Sequence, residues 1–293
     1  MLQTAAFSSG EAAVHLILSK ETLAPDVVRF WVDAPHIASK RKPGQFVIVR
    51  LDEDGERVPL TIADADTSRG AISLIVQGVG KSTRALNSKT PGESILDVAG
   101  PLGLPTHIEP NASVCCIGGG IGTAVVYPIA AGIKAQGGRV VAIIGARTKD
   151  LVILEDDMRR VADECLVTTD DGSYGMHGLV TDALKQLLAR DYRFDEVVAV
   201  GPLPMMRAVV ETTRPIKLKT IVSLNPIMID GTGMCGGCRV TVGGETRFVC
   251  VDGPEFDGHQ VDFAEMAARL RAYRDQEAVA LEIYEKHACR LGS

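Results

Sequence analysis

Between residues 113 and 225 the chain alternates short apolar runs with segments of helical character, and this alternation constrains the fold more than any other feature. The apolar runs are the predicted strands, Val114–Ile117, Val140–Ile144, Cys165–Thr168 and Val197–Val200. The predicted helices between them are a segment ending at Lys134, Ile153–Ala162 and Val180–Ala189. Because alternating strands and helices form a parallel sheet covered on both faces, the pattern predicts an α/β domain.

The N-terminal part of the chain, from His15 to about Gly100, has a different pattern. Short segments rich in β-branched and aromatic residues follow one another as predicted strands, namely Val27–Val32, Gln45–Arg50 and Ile72–Gln77. Pro43-Gly44 and Pro91-Gly92 are turn signals between strands. Together these features predict a small all-β barrel.

The length of 293 residues favours two domains with an appendage. We expect the following boundaries: a barrel domain over 1–108, an α/β domain over 109–225, a glycine- and cysteine-rich segment over 226–260 and a helical tail over 261–293. In the tail, Phe263, Met266, Leu270 and Tyr273 fall on one helical face. That face is predicted to pack against the body of the protein.

The most specific motif in the chain is the run Asp230-Gly231-Thr232-Gly233-Met234-Cys235-Gly236-Gly237-Cys238, followed by Cys250. Plant-type ferredoxins space the first three ligands of a [2Fe–2S] cluster as C-x₄-C-x₂-C, with a fourth Cys further on. Cys235, Cys238 and Cys250 match the last three positions, and Asp230 stands at the first. Since a carboxylate is an anionic ligand that can replace a thiolate on iron, these four residues are the predicted ligands of a [2Fe–2S] cluster.

Two other interpretations of the motif remain open. A structural zinc site could use the same side chains, with His259 as a further candidate ligand, although carboxylates are less usual in such sites. The thiols could also be reduced and without a ligand, which their tight spacing among glycines disfavours. The glycines favour the cluster, because they let the backbone wrap closely and turn N–H groups toward the sulfides.

Composition excludes some classes of function. A net charge of −6 and a pI near 5.6 disfavour nucleic-acid binding. The first twenty residues lack the pattern of a signal peptide, and the uncharged stretch 111–133 has Gly118, Gly119, Gly120, Gly122 and Pro128 in its middle, so we expect no membrane segment. Clustered thiols among 7 Cys favour a reducing cytoplasm, with Cys115, Cys116 and Cys165 as core residues and Cys289 in the tail helix.

Two segments of the barrel region are candidates for binding a flavin nucleotide. In Arg57-Val58-Pro59-Leu60-Thr61 the arginine can hold a pyrophosphate and Thr61 can hydrogen-bond the edge of a flavin ring. In Gly80-Lys81-Ser82-Thr83, backbone N–H groups, two hydroxyls and a lysine form a plausible phosphate cradle. Each segment also has a plain structural interpretation, as a solvated hairpin arginine and as a glycine turn before a helix.

Four loops that follow predicted strands of the α/β domain are candidates for binding a dinucleotide. Ligands of such sheets bind beyond the carboxyl ends of the strands, often at a helix N-terminus. The candidate residues, loop by loop, are Gly118, Gly119, Gly120 and Gly122, then Gly145, Ala146 and Arg147, then Asp171 and Gly172, and finally Gly201, Pro202 and Met205.

Taken together, these motifs resemble the ferredoxin–NADP⁺ reductase superfamily. The resemblance is carried by Pro43–Phe46, Arg57–Thr61, Gly100–Gly103, the Gly118 loop and Gly201-Pro202. The Cys motif narrows it to the branch of dihydroorotate dehydrogenase electron-transfer subunits. Asp230 in place of the first Cys resembles the small subunits of NADH-dependent ferredoxin–NADP⁺ oxidoreductases, also called sulfide dehydrogenases. One position departs from the pattern: many reductases have a Cys before the Gly-Pro, where this chain has Val200.

The resemblance implies FAD on the barrel, NAD(H) or NADP(H) on the α/β domain, and a larger flavoprotein partner with its own FAD and iron–sulfur clusters. We therefore expect an electron-transfer subunit of a heterodimer that reaches ferredoxin through the complex and takes part there in electron bifurcation. Two alternatives are an electron-transfer subunit of another dehydrogenase and a non-catalytic redox sensor with a metal site. The choice between NADH and NADPH stays open, because Asp150 and Glu155 disfavour a 2′-phosphate whereas Arg147 and Lys149 favour one.

Overall fold

The computed structural model describes residues 15–190 and 192–291, with side chains described as far as residue 286. In its first half, seven strands form one antiparallel sheet, in the order β6-β1-β2-β5-β4-β3-β7. In chain order they are β1 (His15–Ala24), β2 (Val27–Asp33), β3 (Phe46–Arg50), β4 (Val58–Asp66), β5 (Ala71–Gln77), β6 (Ser94–Ile95) and β7 (Asp97–Leu102). The helices α1 (Pro35–Ala38) and α2 (Lys81–Ser88) accompany this sheet.

The predicted barrel is confirmed, and alternation explains its core. Strands β2 and β5 pair in a register that sets Phe30 opposite Leu74 and Val32 opposite Ile72, and all four side chains are buried. Successive strand residues point to opposite faces, so Trp31 and Ser73, which lie between them, point to the other face of the sheet.

The second half contains a seven-stranded sheet in the order β11-β10-β9-β8-β12-β13-β16 and a separate hairpin of β14 and β15. These strands are β8 (Ser113–Gly119), β9 (Arg139–Ala146), β10 (Glu164–Thr169), β11 (Met176–His177), β12 (Glu196–Val200), β13 (Thr220–Ser223), β14 (Arg239–Val242), β15 (Glu245–Phe248) and β16 (Glu255–Asp257). The helices are α3 (Thr123–Ala135), α4 (Glu155–Val161), α5 (Val180–Ala189), α6 (Leu203–Thr213), α7 (Val249–Asp252), α8 (Phe263–Arg269) and α9 (Arg274–Leu291).

The order of the second sheet confirms the predicted parallel α/β domain and contains a topological switch point. From β8 the chain proceeds outward through β9 and β10, and then returns to place β12 and β13 on the other side of β8. The connections therefore reverse direction between β8 and β12. Such a switch point opens a crevice at the carboxyl ends of the two strands, and the loops there begin at Gly120 and Gly201.

The structure differs from the predicted elements in several places. The sequence did not reveal the parallel strands β11 and β13, the antiparallel strand β16 that pairs with β13, or the helix α6. The predicted helix over 153–162 begins only at Glu155, after Leu154 in a left-handed conformation at φ 57°. The glycine- and cysteine-rich segment is thus not a separate appendage, because β16 joins it to the α/β sheet.

The tail folds as two helices, α8 and α9, whereas the sequence predicted one continuous helical face. The side chain of Asp262 accepts hydrogen bonds from the N–H groups of Ala264 and Glu265 and so caps α8. Phe263 and Met266 are buried as predicted, whereas Tyr273 is 56% exposed because α8 has already ended. Among the described residues no helix is both long and apolar enough to cross a membrane.

Candidate flavin and iron–sulfur site

A cavity of about 440 Å³ lies between the barrel and the α/β sheet. On the barrel side it is lined by Val58 to Thr61 of β4, and on the other side by Gly122, Val200 and Gly201 at the switch point. Chain from the cysteine-rich segment, including Met228, closes it. The cavity therefore brings together residues of all three predicted regions.

Pairing with β3 holds the β4 residues in the cavity wall, because Phe46 lies opposite Thr61 and Ile48 opposite Pro59. Within the described part of the chain the Thr61 hydroxyl has no hydrogen-bond partner, and Arg57, exposed just before β4, has neither a hydrogen bond nor an ion pair. Both polar groups are thus available to a ligand, whereas Pro59 and Leu60 supply apolar wall.

The predicted phosphate cradle lies beside this wall, at the start of α2. The Thr83 hydroxyl accepts hydrogen bonds from the N–H groups of Val79 and Gly80, both at 3.0 Å, so it fixes the turn itself. The Ser82 hydroxyl donates to Glu56 and ties the cradle to the loop that carries Arg57. Across the described residues, Lys81 has no partner.

The C-terminal helix α9 lies against the cradle, which sequence analysis did not anticipate. A second cavity, of about 350 Å³, is lined by Gly80 to Thr83 on one side and by Arg274, Glu277 and Leu281 on the other. An ion pair of 2.5 Å between Arg84 of α2 and Glu285 of α9 holds the two helices together. Both side chains are exposed, so this pair contributes little to stability.

Close packing explains three of the four predicted glycines after β8. A Cβ on Gly122 would lie 2.2 Å from the carbonyl oxygen of Val200, and one on Gly119 would lie 2.2 Å from the Met205 sulfur. Gly118 is similarly crowded by Thr123. Gly120 differs, because its φ of +54° places it in the left-handed region and a Cβ there would face open space. It is the glycine at which the backbone is open to a ligand.

The loops after β9 and β10 meet at the same edge of the sheet. A Cβ on Gly145 would lie 2.3 Å from Val180, and Ala146 is buried, so both serve packing, whereas Arg147 is exposed. Hydrogen bonds from the Ser173 hydroxyl and N–H, at 2.7 and 2.9 Å, lower the pKa of Asp171. This loop is thus held in shape by its own carboxylate.

Asp230 organises the first half of the cysteine loop through backbone contacts. Its Oδ1 accepts a hydrogen bond from the Thr232 N–H at 2.9 Å, and its Oδ2 accepts one from the Cys235 N–H at 2.8 Å. These bonds, the one from Thr232 foremost, lower the pKa of Asp230. The carboxylate is therefore ionised and adjacent to the first thiol.

The other two thiols form a buried pair. The sulfurs of Cys238 and Cys250 are 3.2 Å apart, and burial, followed by the hydrogen bond from Cys238, raises the pKa of Cys250 to about 12. Two N–H groups point at sulfurs, since Gly237 donates to Cys235 and Cys250 donates to Cys238, each at 3.4 Å. Positive φ at Gly231, Gly233 and Gly236 permits these turns.

No group of three His, Cys, Asp or Glu side chains in the described part of the chain is placed to hold a single metal ion. His259, the further ligand of the zinc alternative, instead lies with its Nε2 3.1 Å from the hydroxyl of Thr213. A two-iron cluster distributes four ligands over two irons, so it does not need one compact group of three.

The cysteine loop adjoins the cavity directly. Ile227 and Met228 line the cavity, and Asp230 follows Met228 by two residues, so their Cα atoms are at most about 8 Å apart. Gly231 packs on the barrel, where a Cβ would lie 2.7 Å from Leu102 and 2.8 Å from Ile48. The loop is thereby fixed against the barrel.

Sequence analysis missed several residues of the cavity wall. Ser223, Leu224 and Asn225 line it because they follow β13, a strand that was not predicted. The β-branched run Thr220-Ile221-Val222 was the signal that could have revealed them. Leu270 of the tail also lines the cavity, which no pattern in the sequence indicates.

Comparison with known proteins gives family matches to the barrel and to the cysteine-rich segment. Residues 15–107 match the oxidoreductase FAD-binding domain, and residues 225–262 match the iron-sulfur cluster binding domain of dihydroorotate dehydrogenase B. A Thermotoga maritima protein, described as a homolog of the electron transfer subunit of dihydroorotate dehydrogenase B (NAD(+)), is 48% identical over 95% of this chain and 98% of its own length. The chain belongs to this electron transfer subunit family.

Further relatives agree with this family. The dihydroorotate dehydrogenase B electron transfer subunit of Bacillus caldolyticus is 36% identical over 84% of this chain and 96% of its own length. A solved structure from a study of electron bifurcation in NADH-dependent reduced ferredoxin-NADP oxidoreductase has a TM-score of 0.88 at 47% identity, covering 94% of this chain and 99% of that chain.

A more distant solved structure is similar to this chain in fold alone. The cytochrome b5 reductase domain of Ulva prolifera nitrate reductase has a TM-score of 0.59 at 18% identity, over 70% of this chain and 92% of that chain.

Members of this electron transfer subunit family are flavin and iron–sulfur oxidoreductases, and the geometry fits both groups. Three cations with no partner in the described part of the chain, Arg57, Lys81 and Arg274, stand at or beside the cavities, as a diphosphate requires. In the cysteine loop, ionised Asp230, three thiols and N–H groups aimed at sulfur fit an iron–sulfur cluster.

Proposed function

We propose that this chain takes electrons from NAD(H) at the FAD-binding cavity and delivers them singly, through a [2Fe–2S] cluster, to a larger flavoprotein partner. The proposed cluster ligands are Asp230, Cys235, Cys238 and Cys250. The observation that supports this relay is the continuity of the cavity wall at Met228 with the ligand at Asp230. When bound, FAD accepts a hydride and releases electrons one at a time, which suits a nicotinamide donor and a one-electron acceptor.

On the barrel side, the chain's own residues bind and orient the flavin nucleotide. Arg57 and the segment Gly80 to Thr83 hold the diphosphate, with Lys81 as the cation of the cradle. Pro59 and Leu60 form the apolar wall against the ring. Thr61 donates or accepts a hydrogen bond at the ring edge and so positions the flavin for hydride transfer.

On the α/β side, the switch-point loops bind the dinucleotide. Gly120 is open to its phosphates, and Gly201-Pro202 lies opposite on the β12 side. We infer NAD(H) as the substrate, supported by the names of the relatives and by Asp171, whose ionised carboxylate would repel a 2′-phosphate. Arg147 is exposed, its carbonyl oxygen accepts a hydrogen bond of 3.2 Å from the Asp171 N–H, and its side chain would contact the ribose side.

The partner is a larger subunit that receives electrons at the cysteine loop. Exposed apolar side chains surround this loop, with Ile229 at 49%, Met234 at 88% and Val251 at 38% exposure, which is typical of a surface that a partner covers. We infer that the complex reaches ferredoxin and carries out electron bifurcation, as studied for the similar structure. The free thiols support a cytoplasmic location.

A second candidate function is electron transfer to a dihydroorotate dehydrogenase. The names of several relatives favour it, and Asp230 at the first ligand position argues against it. Affinity purification of the full chain from its native host identifies the large subunit. A dihydroorotate dehydrogenase as the sole partner would replace the first candidate by the second.

Variants of Asp230 test the cluster itself. The anaerobically purified complex is expected to hold iron, sulfide and FAD, and D230A is expected to lose most of the iron of this subunit while retaining its FAD. D230C should retain iron, with altered electron paramagnetic resonance (EPR) g-values. The matched control E245A removes an exposed carboxylate from β15 of the same segment and should retain iron. An unchanged spectrum in both Asp230 variants would exclude Asp230 as a ligand.

A further inference from the structure

The helix α8 lies outside the matched iron–sulfur domain, which ends at residue 262, yet it is fastened to the cysteine-rich segment. Glu265 accepts a hydrogen bond at 3.0 Å from the N–H of Thr241 in β14. Phe263 and Met266 are buried in the core shared with Cys238 and Cys250. The position of α8 relative to the cysteine loop is therefore fixed by both polar and apolar contacts.

Arg269, the last residue of α8, reaches back into the cysteine loop. Its Nη2 donates a hydrogen bond of 2.9 Å to the carbonyl oxygen of Gly237, between Cys235 and Cys238. The N–H of the same glycine donates to the Cys235 sulfur at 3.4 Å. Arg269 therefore holds the stretch of backbone that presents two of the proposed ligands.

The charge of Arg269 has no counter-charge among the described residues. Its Nε is buried without a hydrogen-bond partner, and within the described chain no carboxylate lies within ion-pair distance of its guanidinium. Arg271, two residues further on, differs because it is exposed and its Nε donates to the carbonyl oxygen of Ala267. A half-buried cation left unpaired is unfavourable, so an anion next to Gly237 would stabilise Arg269.

We propose that Arg269 is the counter-charge and positioning residue of the iron–sulfur cluster. The inference rests on the proposed ligands Asp230, Cys235, Cys238 and Cys250, three thiolates and one carboxylate that give the cluster a negative charge. One-electron reduction adds a further negative charge, and a nearby cation stabilises the reduced form more than the oxidised form. Arg269 thus raises the reduction potential, and it does so from a helix outside the matched domain.

The test is an EPR-monitored redox titration of the purified complex carrying R269Q, R269M or R269K. R269Q and R269M are expected to shift the equilibrium of this cluster about tenfold toward its oxidised form, or ~59 mV for one electron. R269K keeps the charge and is expected to stay near the wild-type potential. The control R271Q removes the same charge from an exposed position two residues away and should leave the potential unchanged.

Several outcomes would overturn the inference while leaving the proposed function intact. Iron-replete R269Q or R269M at the wild-type potential would contradict it, as would R269K shifted as far as R269Q. Loss of iron from R269Q and R269M but not from R269K would support it, because the cation alone then retains the cluster. Loss from all three would assign Arg269 a steric role only. Wild-type complex without iron in this subunit would instead refute the proposed function.

Discussion

The two redox regions of this subunit are built in opposite ways. The cavity wall at β4 is paired strand, and its residues keep their places through hydrogen bonds to β3 and through a buried barrel core. The cysteine loop has no helix or strand between Asp230 and Cys238, and it turns on glycines of positive φ. The difference predicts that loss of the cluster disturbs the cysteine loop more than loss of FAD disturbs the flavin cavity.

The largest expected effect is the loss of the cluster from the cysteine loop while FAD stays bound at the cavity. C238S removes one of the two buried thiols and is expected to abolish the cluster, because a partly liganded centre loses iron, while FAD binding stays near one per chain. Iron and flavin analysis of the purified protein measures both quantities.

The matched control for this experiment is C165S, which changes a half-buried thiol in β10, away from the loop. Burial raises the pKa of that thiol to about 11, so it is a neutral core residue. Loss of FAD together with iron in C238S would remove the distinction between the two regions.

A second prediction sharpens the comparison within the glycine loop. G122A places a methyl group against the Val200 carbonyl oxygen and is expected to lower the free energy of unfolding by about 3 kcal/mol. In G120A the added methyl group faces open space, so only the positive φ lowers the free energy of unfolding, by about 1 kcal/mol. Denaturant unfolding measures both changes.

For NADH binding we expect the opposite order, with G120A more affected than G122A. G120A is expected to raise the KM for NADH about tenfold, because its methyl group enters the space left for the ligand. Equal stability losses in the two variants, or an unchanged KM in G120A, would contradict the assignment of Gly120 as the open position.

A third prediction concerns the joint between the barrel and the rest of the molecule. Glu255 of β16 accepts a hydrogen bond of 2.6 Å from the Thr106 hydroxyl. Burial foremost, with a smaller contribution from Glu196, raises the pKa of Glu255 to about 7, although the bond from Thr106 opposes this rise. Lys219 is paired with Glu196 and does not offset the burial of Glu255.

Because the folded protein holds this proton more tightly than the unfolded chain does, stability is greatest below pH 4.5 as far as Glu255 is concerned. It falls as the pH rises from 4.5 toward 7, by about 3 kcal/mol. E255Q is expected to remove this pH dependence while leaving the cluster intact. Thermal unfolding at pH 5 and pH 8 measures the effect, and an equal slope in E255Q and wild type would contradict it.

The sequence was informative where a local pattern determines structure. The barrel strands β2, β3 and β5 and four of the parallel strands follow from side-chain alternation and apolar runs, and α5 has the predicted bounds, Val180–Ala189. The four-residue strand β13 was missed because so short a run has little periodicity, and with it Ser223 and Asn225 were lost from the predicted site.

Other features could not be derived from the sequence because they depend on tertiary contacts. Gly119, Gly122 and Gly145 fit a nucleotide loop by pattern, yet their contacts show that neighbouring parts of the chain require them. Leu270 and Arg269 reach the cavity and the cysteine loop only because α8 folds back. The roles of the predicted ligands remain predictions that the variants above test.

Freeze-quench EPR of the anaerobic wild-type complex after mixing with NADH tests the relay most directly. The account predicts that flavin bleaching is followed by the signal of a reduced [2Fe–2S] cluster in this subunit, and that C238S bleaches without this signal. A wild-type flavin that is reduced by NADH while the cluster of this subunit stays oxidised would contradict the account.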